Sequence, residues 1–307
     1  MTKARPLEGL TVVEFSNSVA APFAGLILSD LGADVLKIEN PDGGDHARGW
    51  PPFFEDEAAT FHTLNRGKKA LRVDLQDPAA VAALRRLILD RADVVLQNMR
   101  AGIVDKFGLG AKALTAAKPE LIYCDLHAFG QTGPLAGKPG YDPLMQAFGG
   151  IMSVTGEGGD RPPVRVGASL VDLGAGMWSV IGILSSLIER ARTRRGTVIG
   201  TSLYETALNW MCVPMAAYQA SGKVSRAYGS GINEMVPYQC FLTQEGWLMI
   251  AAGNDSLYRK LCAVLGRHAC GLRRGARADR RAALRAGAHG GHLRSARARC
   301  GRARGLR

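Results

Sequence analysis

Residues 11–39 read TVVEFSNSVAAPFAGLILSDLGADVLKIE, and this stretch decides the fold. TVVEF and DVLKIE are short apolar runs typical of buried strands. Between them lies a helical pattern in which Pro22 suits the first turn and Gly32 suits the end. A strand, a helix and a second strand in this order predict a βαβ unit. Its two strands should pair in parallel through a right-handed crossover.

The same alternation of strand and helix continues downstream. Further strands are predicted at ALRVDL, DVVLQNM, LIYCDL and GTVIGTSL, and Asp77-Pro78 marks the start of the helix AAVAALRRLILDRA. Helices are also predicted at 141–155, 173–192 and 203–222. This pattern predicts an α/β fold with a Rossmann-like, doubly wound parallel sheet. No G-x-G-x-x-G follows the first strand, so ordinary dinucleotide binding is not supported.

Changes in composition divide the chain into four parts. We expect a large domain over 1–200, a linker helix region over 201–225 and the start of a smaller α+β domain over 226–267. Gly, Pro and aromatic residues in this third part predict loops and short strands, and the domain looks incomplete. Residues 268–307 form a tail rich in Arg, Ala and Gly.

The formal charge of +12 belongs almost entirely to the tail, which contains 12 Arg and a single acid, Asp279. The rest of the chain is close to neutral. With so few apolar side chains, the tail is expected to be disordered or weakly helical. It has two interpretations: a basic arm for nucleic acid, or out-of-frame translation of GC-rich DNA. Because the change in composition is abrupt, we favour the second.

Several other classes of protein find little support. The six Cys show no C-x-x-C spacing, so neither a zinc site nor a redox pair is indicated, and a metal is not expected. The start of the chain lacks the apolar core of a secretory signal, so we expect a cytoplasmic protein. The uncharged run Leu173–Ile188 is short for a membrane span and predicts a buried helix.

A lone carboxylate, Asp172, lies in the apolar stretch ASLVDLGAGMWS, residues 168–179. Burying an ionised carboxylate is costly without compensation. An Asp just before a helix is most simply an N-cap, which accepts backbone N–H bonds and favours the positive end of the helix dipole. Such a position would keep a partly buried carboxylate ionised.

The ordered set of motifs resembles the class III CoA-transferase family, which includes formyl-CoA transferase, carnitine CoA-transferase and alpha-methylacyl-CoA racemase. The matching stretches cover about residues 6–267 and include LGADVLKIENPDGGDHARGW, NRGKKALRVDL, FGQTGP, GYDPLMQAFGG and VDLGAGM. The resemblance implies that Asp172 is the nucleophile and that an aspartyl anhydride and an aspartyl-CoA thioester carry the reaction. The substrates would be an acyl-CoA and a carboxylic acid acceptor, with no permanently bound cofactor.

The resemblance also implies which residues contact CoA. They are expected within the large domain, at Val19, Ala20, Val73, Asp74, Leu75, Asn98, Met99, Arg100, Lys106, Lys138 and Tyr141. Gly229-Ser230-Gly231 is a candidate oxyanion turn, although a plain loop fits its composition equally well. Formyl-CoA transferase has a basic residue where Asn40 stands, so formyl-CoA or oxalate specificity is not supported.

Tyr141 distinguishes the transferase from the racemase branch, in which a histidine at this position serves as an acid/base group. Tyrosine, with an ordinary pKa near 10, is a poor proton shuttle at neutral pH. Transferase activity is therefore favoured, with a racemase as the alternative. A nucleic-acid-binding protein acting through the tail is the alternative from another class.

Members of this family are longer and form interlocked homodimers. Because the resemblance ends near residue 267, we expect a truncated or frameshifted chain in which dimerisation and activity are in doubt. No membrane partner is expected, and nucleic acid is not favoured.

Overall fold

The computed structural model describes residues 5–232 and 235–266, so the predicted tail lies outside the described residues. The chain divides into two compact units. Among the described residues, the first unit contains 5–152 together with Arg165–Val224, and the second contains Ser153–Val164 together with those from Ser225 to residue 266. The second unit thus includes a short earlier segment that the sequence pattern does not predict.

The predicted linker helix region, 201–225, belongs to the first unit except for its last residue. The single helix predicted at 203–222 is two helices that meet at Met211. A corresponding break at Gly149-Gly150 divides the helix predicted at 141–155.

Strands and helices alternate through most of the first unit. In chain order, the strands are β1 (Thr11–Phe15), β2 (Asp34–Glu39), β3 (Phe53–Phe54), β4 (Glu57–Ala58), β5 (Lys69–Arg72), β6 (Val94–Gln97), β7 (Ile122–His127), β8 (Val198–Ser202), β9 (Tyr238–Thr243) and β10 (Gly246–Ala251). The helices are α1 (Ala20–Asp30), α2 (Ala59–Asn65), α3 (Pro78–Arg91), α4 (Ile103–Lys106), α5 (Ala111–Ala117), α6 (Asp142–Phe148), α7 (Ile151–Val154), α8 (Leu170–Thr193), α9 (Leu203–Trp210), α10 (Cys212–Ser221) and α11 (Asp255–Val264).

Six of these strands form one parallel sheet in the order β5-β2-β1-β6-β7-β8. The chain thus builds outward from β1 to one edge and then from β6 to the other, which confirms the doubly wound α/β prediction. In such sheets, ligands bind outside the carboxyl ends of the strands where the order reverses. The reversal here lies between β1 and β6.

Alternate residues of the strands supply two cores, one on each face of the sheet. Val12 and Leu96 join a cluster with helices α1 and α8 on one face. Val13 and Val95 join a cluster with α3 on the other. Asp77 accepts a hydrogen bond from the amide of Ala79 at the start of α3, which is the cap that the Asp-Pro pair predicts.

A cluster of paired charges is buried where β1, β2 and α2 meet, and we call it the buried charge cluster. It contains three acids and three bases: Glu14, Glu39, Asp45, Lys37, Arg48 and Lys68. Glu14 and Lys37 are register neighbours on adjacent strands. Lys37 Nζ lies 2.9 Å from Asp45 Oδ2 and 3.3 Å from Glu14 Oε1. Burial lowers the pKa of Lys68 to about 8, and its ion pair with Glu14 opposes that shift.

Helix α8 is the centre of the first unit, and its sequence GAG explains how closely its neighbours approach. A Cβ added to Gly176 would lie 2.6 Å from the carbonyl oxygen of Ala20 in α1, and one added to Gly174 would lie 2.8 Å from a methyl carbon of Thr206 in α9. Glycine at these two positions therefore allows close helix contact on two sides of α8.

Gly176→Ala is expected to separate α1 from α8. The gain in helix propensity, at most about 1 kcal/mol, should be outweighed by overpacking against a backbone carbonyl, with a net loss of about 1–3 kcal/mol in the free energy of unfolding. Denaturant unfolding measures it. The control is Gly200→Ala, whose methyl group meets nothing within 4 Å. Equal stability of the two variants would contradict this explanation of Gly176.

Among the described helices, α8 alone has the length and apolar composition of a membrane span, and 44% of its most apolar window is buried inside the structure. Helices α1 and α9 pack against it, as expected of the buried helix that the sequence predicts.

The second unit contains an antiparallel pair, β9–β10, followed by α11. Asn254 caps α11 by accepting a hydrogen bond from the amide of Leu257 at 2.9 Å. The second unit has a small buried cluster, formed by Ala252, Tyr258 and Cys262. These elements agree with the loops and short strands that the sequence predicts after residue 226.

Candidate active site

A cavity of about 200 Å³ opens at the carboxyl ends of β1, β6 and β7. Its walls come from the loop after β1 (residues 17–20), the loop after β6 (residues 98–101), the segment 137–141 and Asp172. The cavity therefore lies at the reversal of strand order, where the fold itself favours ligand binding.

Asp172 lies in the first turn of α8 and is partly buried against the cavity. It is not the N-cap that its sequence context suggests, since that position is occupied by Ser169. The amides of Val171 and Asp172 instead donate to Asp142 Oδ1, at 2.7 and 3.2 Å. Asp142 is the first residue of α6 and is held in turn by Gln146, whose Nε2 donates to Asp142 Oδ2 at 2.6 Å.

Burial raises the pKa of the Asp172 carboxyl to about 7, and the negative charge of Asp142 adds to the effect. Burial therefore opposes the effect of the helix start, which was expected to keep the Asp172 carboxyl ionised. Asp142, not Asp172, accepts hydrogen bonds from the first turn of α8. Near neutral pH, the Asp172 carboxyl is poised between its protonated and ionised forms.

Seven of the residues expected to contact CoA line the cavity beside Asp172. They are Val19, Ala20, Asn98, Met99, Arg100, Lys138 and Tyr141. In the described part of the chain, the side chains of Arg100 and Lys138 have no carboxylate within ion-pair distance. Both are exposed, so the cavity carries two cations at its edge.

Four other expected CoA contacts lie elsewhere in the first unit. Val73 is buried in the second core, and its amide donates to the carbonyl of Glu39. Asp74 accepts a hydrogen bond from the amide of Gln76, and Leu75 packs against the same core. Lys106 is exposed at the end of α4. None of these four lines this cavity.

The Gly229-Ser230-Gly231 turn lies in the second unit, and the structure favours a plain loop. The amide of Gly229 donates to the carbonyl of Gly156 at 2.7 Å, and that of Gly231 donates to the carbonyl of Tyr228 at 3.0 Å. Both amides are thus engaged within the unit and are not available to stabilise an oxyanion.

Sequence reasoning missed three polar residues of the site. His46 and His127 line the cavity, although neither was among the predicted site residues. Asp142 was seen only as part of GYDP, yet it positions the start of α8. The signal for His127 was available, because it ends a strand whose neighbours in the sheet also end at the cavity. In the described part of the chain, no group of three or more His, Cys, Asp or Glu side chains could hold a metal ion.

Comparison with known families gives a match to the model of CoA-transferase family III over residues 7–298. The chain belongs to CoA-transferase family III. This match extends past residue 267, where the resemblance was expected to end, while the absence of any family relationship over 268–307 stays a prediction. The matches to individual relatives of the family cover about 85% of this chain.

Several curated relatives within CoA-transferase family III are named for carboxylic acids. The chain is 39% identical to succinate–glutarate CoA-transferase of Agrobacterium fabrum, over 85% of this chain and 66% of the relative. It is 36% identical to mouse succinyl-CoA:glutarate CoA-transferase, covering 85% of this chain and 60% of that protein. It is also 38% identical to acetyl-CoA:oxalate CoA-transferase of Acetobacter aceti, covering 85% of this chain and 67% of that protein. The chain thus spans about two thirds or less of these relatives' length.

Solved structures agree with the family assignment. A CAIB/BAIF family protein from Brucella suis has a TM-score of 0.80 and 40% identity, covering 92% of this chain and 76% of its own. A Mycobacterium tuberculosis protein has a TM-score of 0.75 and 33% identity, covering 86% of this chain and 70% of its own.

Proposed function

We propose that this chain carries the CoA-binding and nucleophile-bearing part of a CoA-transferase, which moves CoA from an acyl-CoA to a carboxylic acid through Asp172. The observation that supports this most is the position of Asp172. It is a partly buried carboxylate on the cavity at the switch point of the sheet, beside seven of the expected CoA contacts. A partly buried carboxylate on a cavity, with no cation within ion-pair distance among the described residues, is a candidate for chemistry.

The first half of the proposed reaction transfers CoA to the protein. An Asp172 carboxylate oxygen attacks the thioester carbonyl carbon, the carbon–sulfur bond breaks, and the CoA thiolate leaves behind a mixed anhydride. The thiolate then attacks Cγ of Asp172. The anhydride opens, the donor acid leaves as a carboxylate, and Asp172 holds CoA as a thioester.

The second half reverses these steps with a different acid. The acceptor carboxylate attacks Cγ of the aspartyl thioester and releases the thiolate, which gives a second mixed anhydride. The thiolate attacks the acyl carbon of the acceptor, and the new acyl-CoA and the Asp172 carboxylate separate. Each step exchanges one activated acyl group for another, so the balance requires neither a nucleotide nor a redox partner.

Helix α1 provides candidate donors for the oxyanions that form in these steps. The amides of Ala20 and Ala21, in its first turn, have no acceptor within the helix. Ala20 lines the cavity, and Gly176 lets α1 approach α8 closely. In the proposed site, these amides replace the Gly229-Ser230-Gly231 turn as oxyanion donors.

The chemistry of the cavity edge fits the substrates. Arg100 and Lys138 supply cations for the phosphates of CoA. Because the relatives named above are called after succinate, glutarate and oxalate, we propose a dicarboxylic acid as the acceptor.

An isotope experiment tests this mechanism. The chain is incubated with an acyl-CoA and an acceptor whose carboxylate carries ¹⁸O, and the peptide containing Asp172 is then weighed. Anhydride chemistry leaves one acceptor oxygen on Asp172 in each cycle, so the mass of this peptide should rise by about 2 Da after a single turnover. Racemisation would leave this peptide unlabelled. Turnover without label would contradict the proposal, and so would the absence of any turnover with a range of dicarboxylic acids.

The pKa of Asp172 predicts the pH dependence. Only the ionised carboxylate attacks, so kcat/KM for the acyl-CoA should fall as pH drops below about 7, tending to tenfold per pH unit. Asp142→Asn removes the neighbouring negative charge and keeps an oxygen for the two amides. The fall of kcat/KM on the acidic side of the pH profile should therefore move to lower pH, by about half a unit to one unit.

The control for this shift is Asp93→Asn. Asp93 pairs with Arg190 and precedes β6, at the end of the sheet opposite the cavity. Its variant should show this fall at the same pH as the unaltered chain. A fall that stays in place in Asp142→Asn, or moves equally in both variants, would contradict the role assigned to Asp142.

A further inference from the structure

Ser18 has an unusual backbone conformation at the cavity. Its φ is +69°, in the left-handed region that residues with a Cβ seldom occupy. It lies in the short loop between β1 and α1, directly before Val19 and Ala20, and lines the cavity with them. A strained residue at a binding site persists only where its surroundings hold it.

Asp45 is the group that holds Ser18. Its Oδ1 accepts hydrogen bonds from the amides of Ser18 and Ala47, each at 2.9 Å. The Asp45 residue is only 1% exposed, and its other carboxylate oxygen lies 2.9 Å from Lys37 Nζ. One carboxylate thus joins the loop after β1 to the buried charge cluster.

Lys37 binds the same loop at Ser16, two residues before Ser18. Its Nζ donates to the side-chain oxygen of Ser16 at 2.7 Å and to the carbonyl oxygen of Ser16 at 3.0 Å. Asn17 lies between these two residues, and its backbone is hydrogen-bonded to the side chain of Asn98. The Asn17 amide donates to Asn98 Oδ1 at 2.9 Å, and Asn98 Nδ2 donates to the Asn17 carbonyl at 3.0 Å. Each residue from 16 to 18 is therefore fixed by a named partner.

We propose that Asp45 is a positioning residue for CoA binding: by holding Ser18 in the left-handed conformation, it fixes Val19 and Ala20 against the cavity. This inference rests on the proposed function. Asp45 does not line the cavity, so it acts through the backbone of Ser18 and not by contact with the substrate. The loop therefore has its binding conformation before the ligand arrives, so binding does not include the entropy cost of ordering it.

The test uses Asp45→Ala, Ser18→Gly and the double variant, with free CoA titrated by calorimetry. Without its acceptor, Ser18 should leave the strained conformation, and the dissociation constant for CoA should rise about tenfold in Asp45→Ala. Glycine adopts this conformation without the Cβ penalty. Ser18→Gly should therefore restore much of the affinity in the double variant, to within about threefold of the unaltered chain.

A matched control separates positioning from general stability. Arg194 also has a left-handed backbone, with φ +58°, at the end of α8. Arg194→Gly relieves a similar penalty without touching the loop, so in the Asp45→Ala background it should not restore CoA affinity. Equal rescue by both glycines, or no rescue by Ser18→Gly, would overturn the proposal, and so would unchanged affinity in Asp45→Ala.

Hydrogen exchange distinguishes failure of this inference from failure of the proposed function. Exchange at the amide of residue 18 should accelerate about tenfold or more in Asp45→Ala, with a smaller change at residue 17. An unaltered chain that does not bind CoA would contradict the proposed function. Unchanged exchange at residue 18 would contradict the role of Asp45, whatever the CoA result.

Discussion

Asp172→Asn should lower the rate of CoA transfer by about a thousandfold or more, because the variant lacks the oxygen nucleophile on which both halves of the proposed reaction depend. The amide has nearly the same shape, so the cavity should persist. Affinity for CoA should stay within about threefold of the unaltered chain, since no CoA contact is removed. Steady-state transfer assays and calorimetry with free CoA measure the two quantities on the same preparation.

The matched control for Asp172→Asn is Asp90→Asn, an exposed aspartate near the end of α3. It should transfer CoA at the unaltered rate. Slow deamidation of the Asn variant would regenerate aspartate and restore activity. Asp172→Ala controls for this, because alanine cannot deamidate. Retention of more than a tenth of the activity by the Ala variant would contradict the covalent mechanism.

Lys37→Met should lower the free energy of unfolding by about 3–5 kcal/mol, because Asp45 would remain buried without the cation that lies 2.9 Å from its Oδ2, and Glu14 would keep only Lys68. The lysine stem is apolar, and Met fills most of its volume. The loss of stability therefore measures the effect of removing the positive charge. Denaturant midpoints at pH 7 measure it.

Lys69→Met provides the matched control for Lys37→Met. Lys69 also pairs with an acid, Asp34, at 2.8 Å, but its side chain is 70% exposed. Exposed ion pairs contribute little, so the expected change is about 0–1 kcal/mol. If the two lysines proved equivalent, the buried charge cluster would not have the stabilising role assigned to it.

The architecture of the first unit could be predicted because its signals are local. TVVEF and DVLKIE are apolar runs, Pro22 and Asp77-Pro78 mark helix starts, and each predicted strand of the parallel sheet is present. The breaks at Met211 and Gly149-Gly150 were missed because the helical pattern continues through them. The segment 153–164 was missed because its place in the second unit depends on contacts distant in sequence.

The candidate site was harder to predict, since its key contacts join residues far apart in the chain. Asp172 was identified from its motif, but Asp142 reaches the start of α8 across about thirty residues. The charges of β1 and β2 offered a signal that went unused. Strands at the centre of a parallel sheet are expected to be almost wholly apolar, so Glu14 and Lys37 in such strands indicate a buried pair.

The carboxylate of Asp142 at the start of α8 has a chemical consequence for Asp172. An ordinary aspartate, with a pKa near 4, is a weak base and a feeble attacker of thioesters, whereas an ordinary thiol has a pKa near 8.5. By raising the pKa of Asp172 to about 7, burial and the neighbouring charge bring its basicity close to that of the sulfur it displaces. In the proposed mechanism, oxygen and sulfur would then exchange places on the acyl carbon with little difference in energy, which suits a transfer between two acids of similar kind.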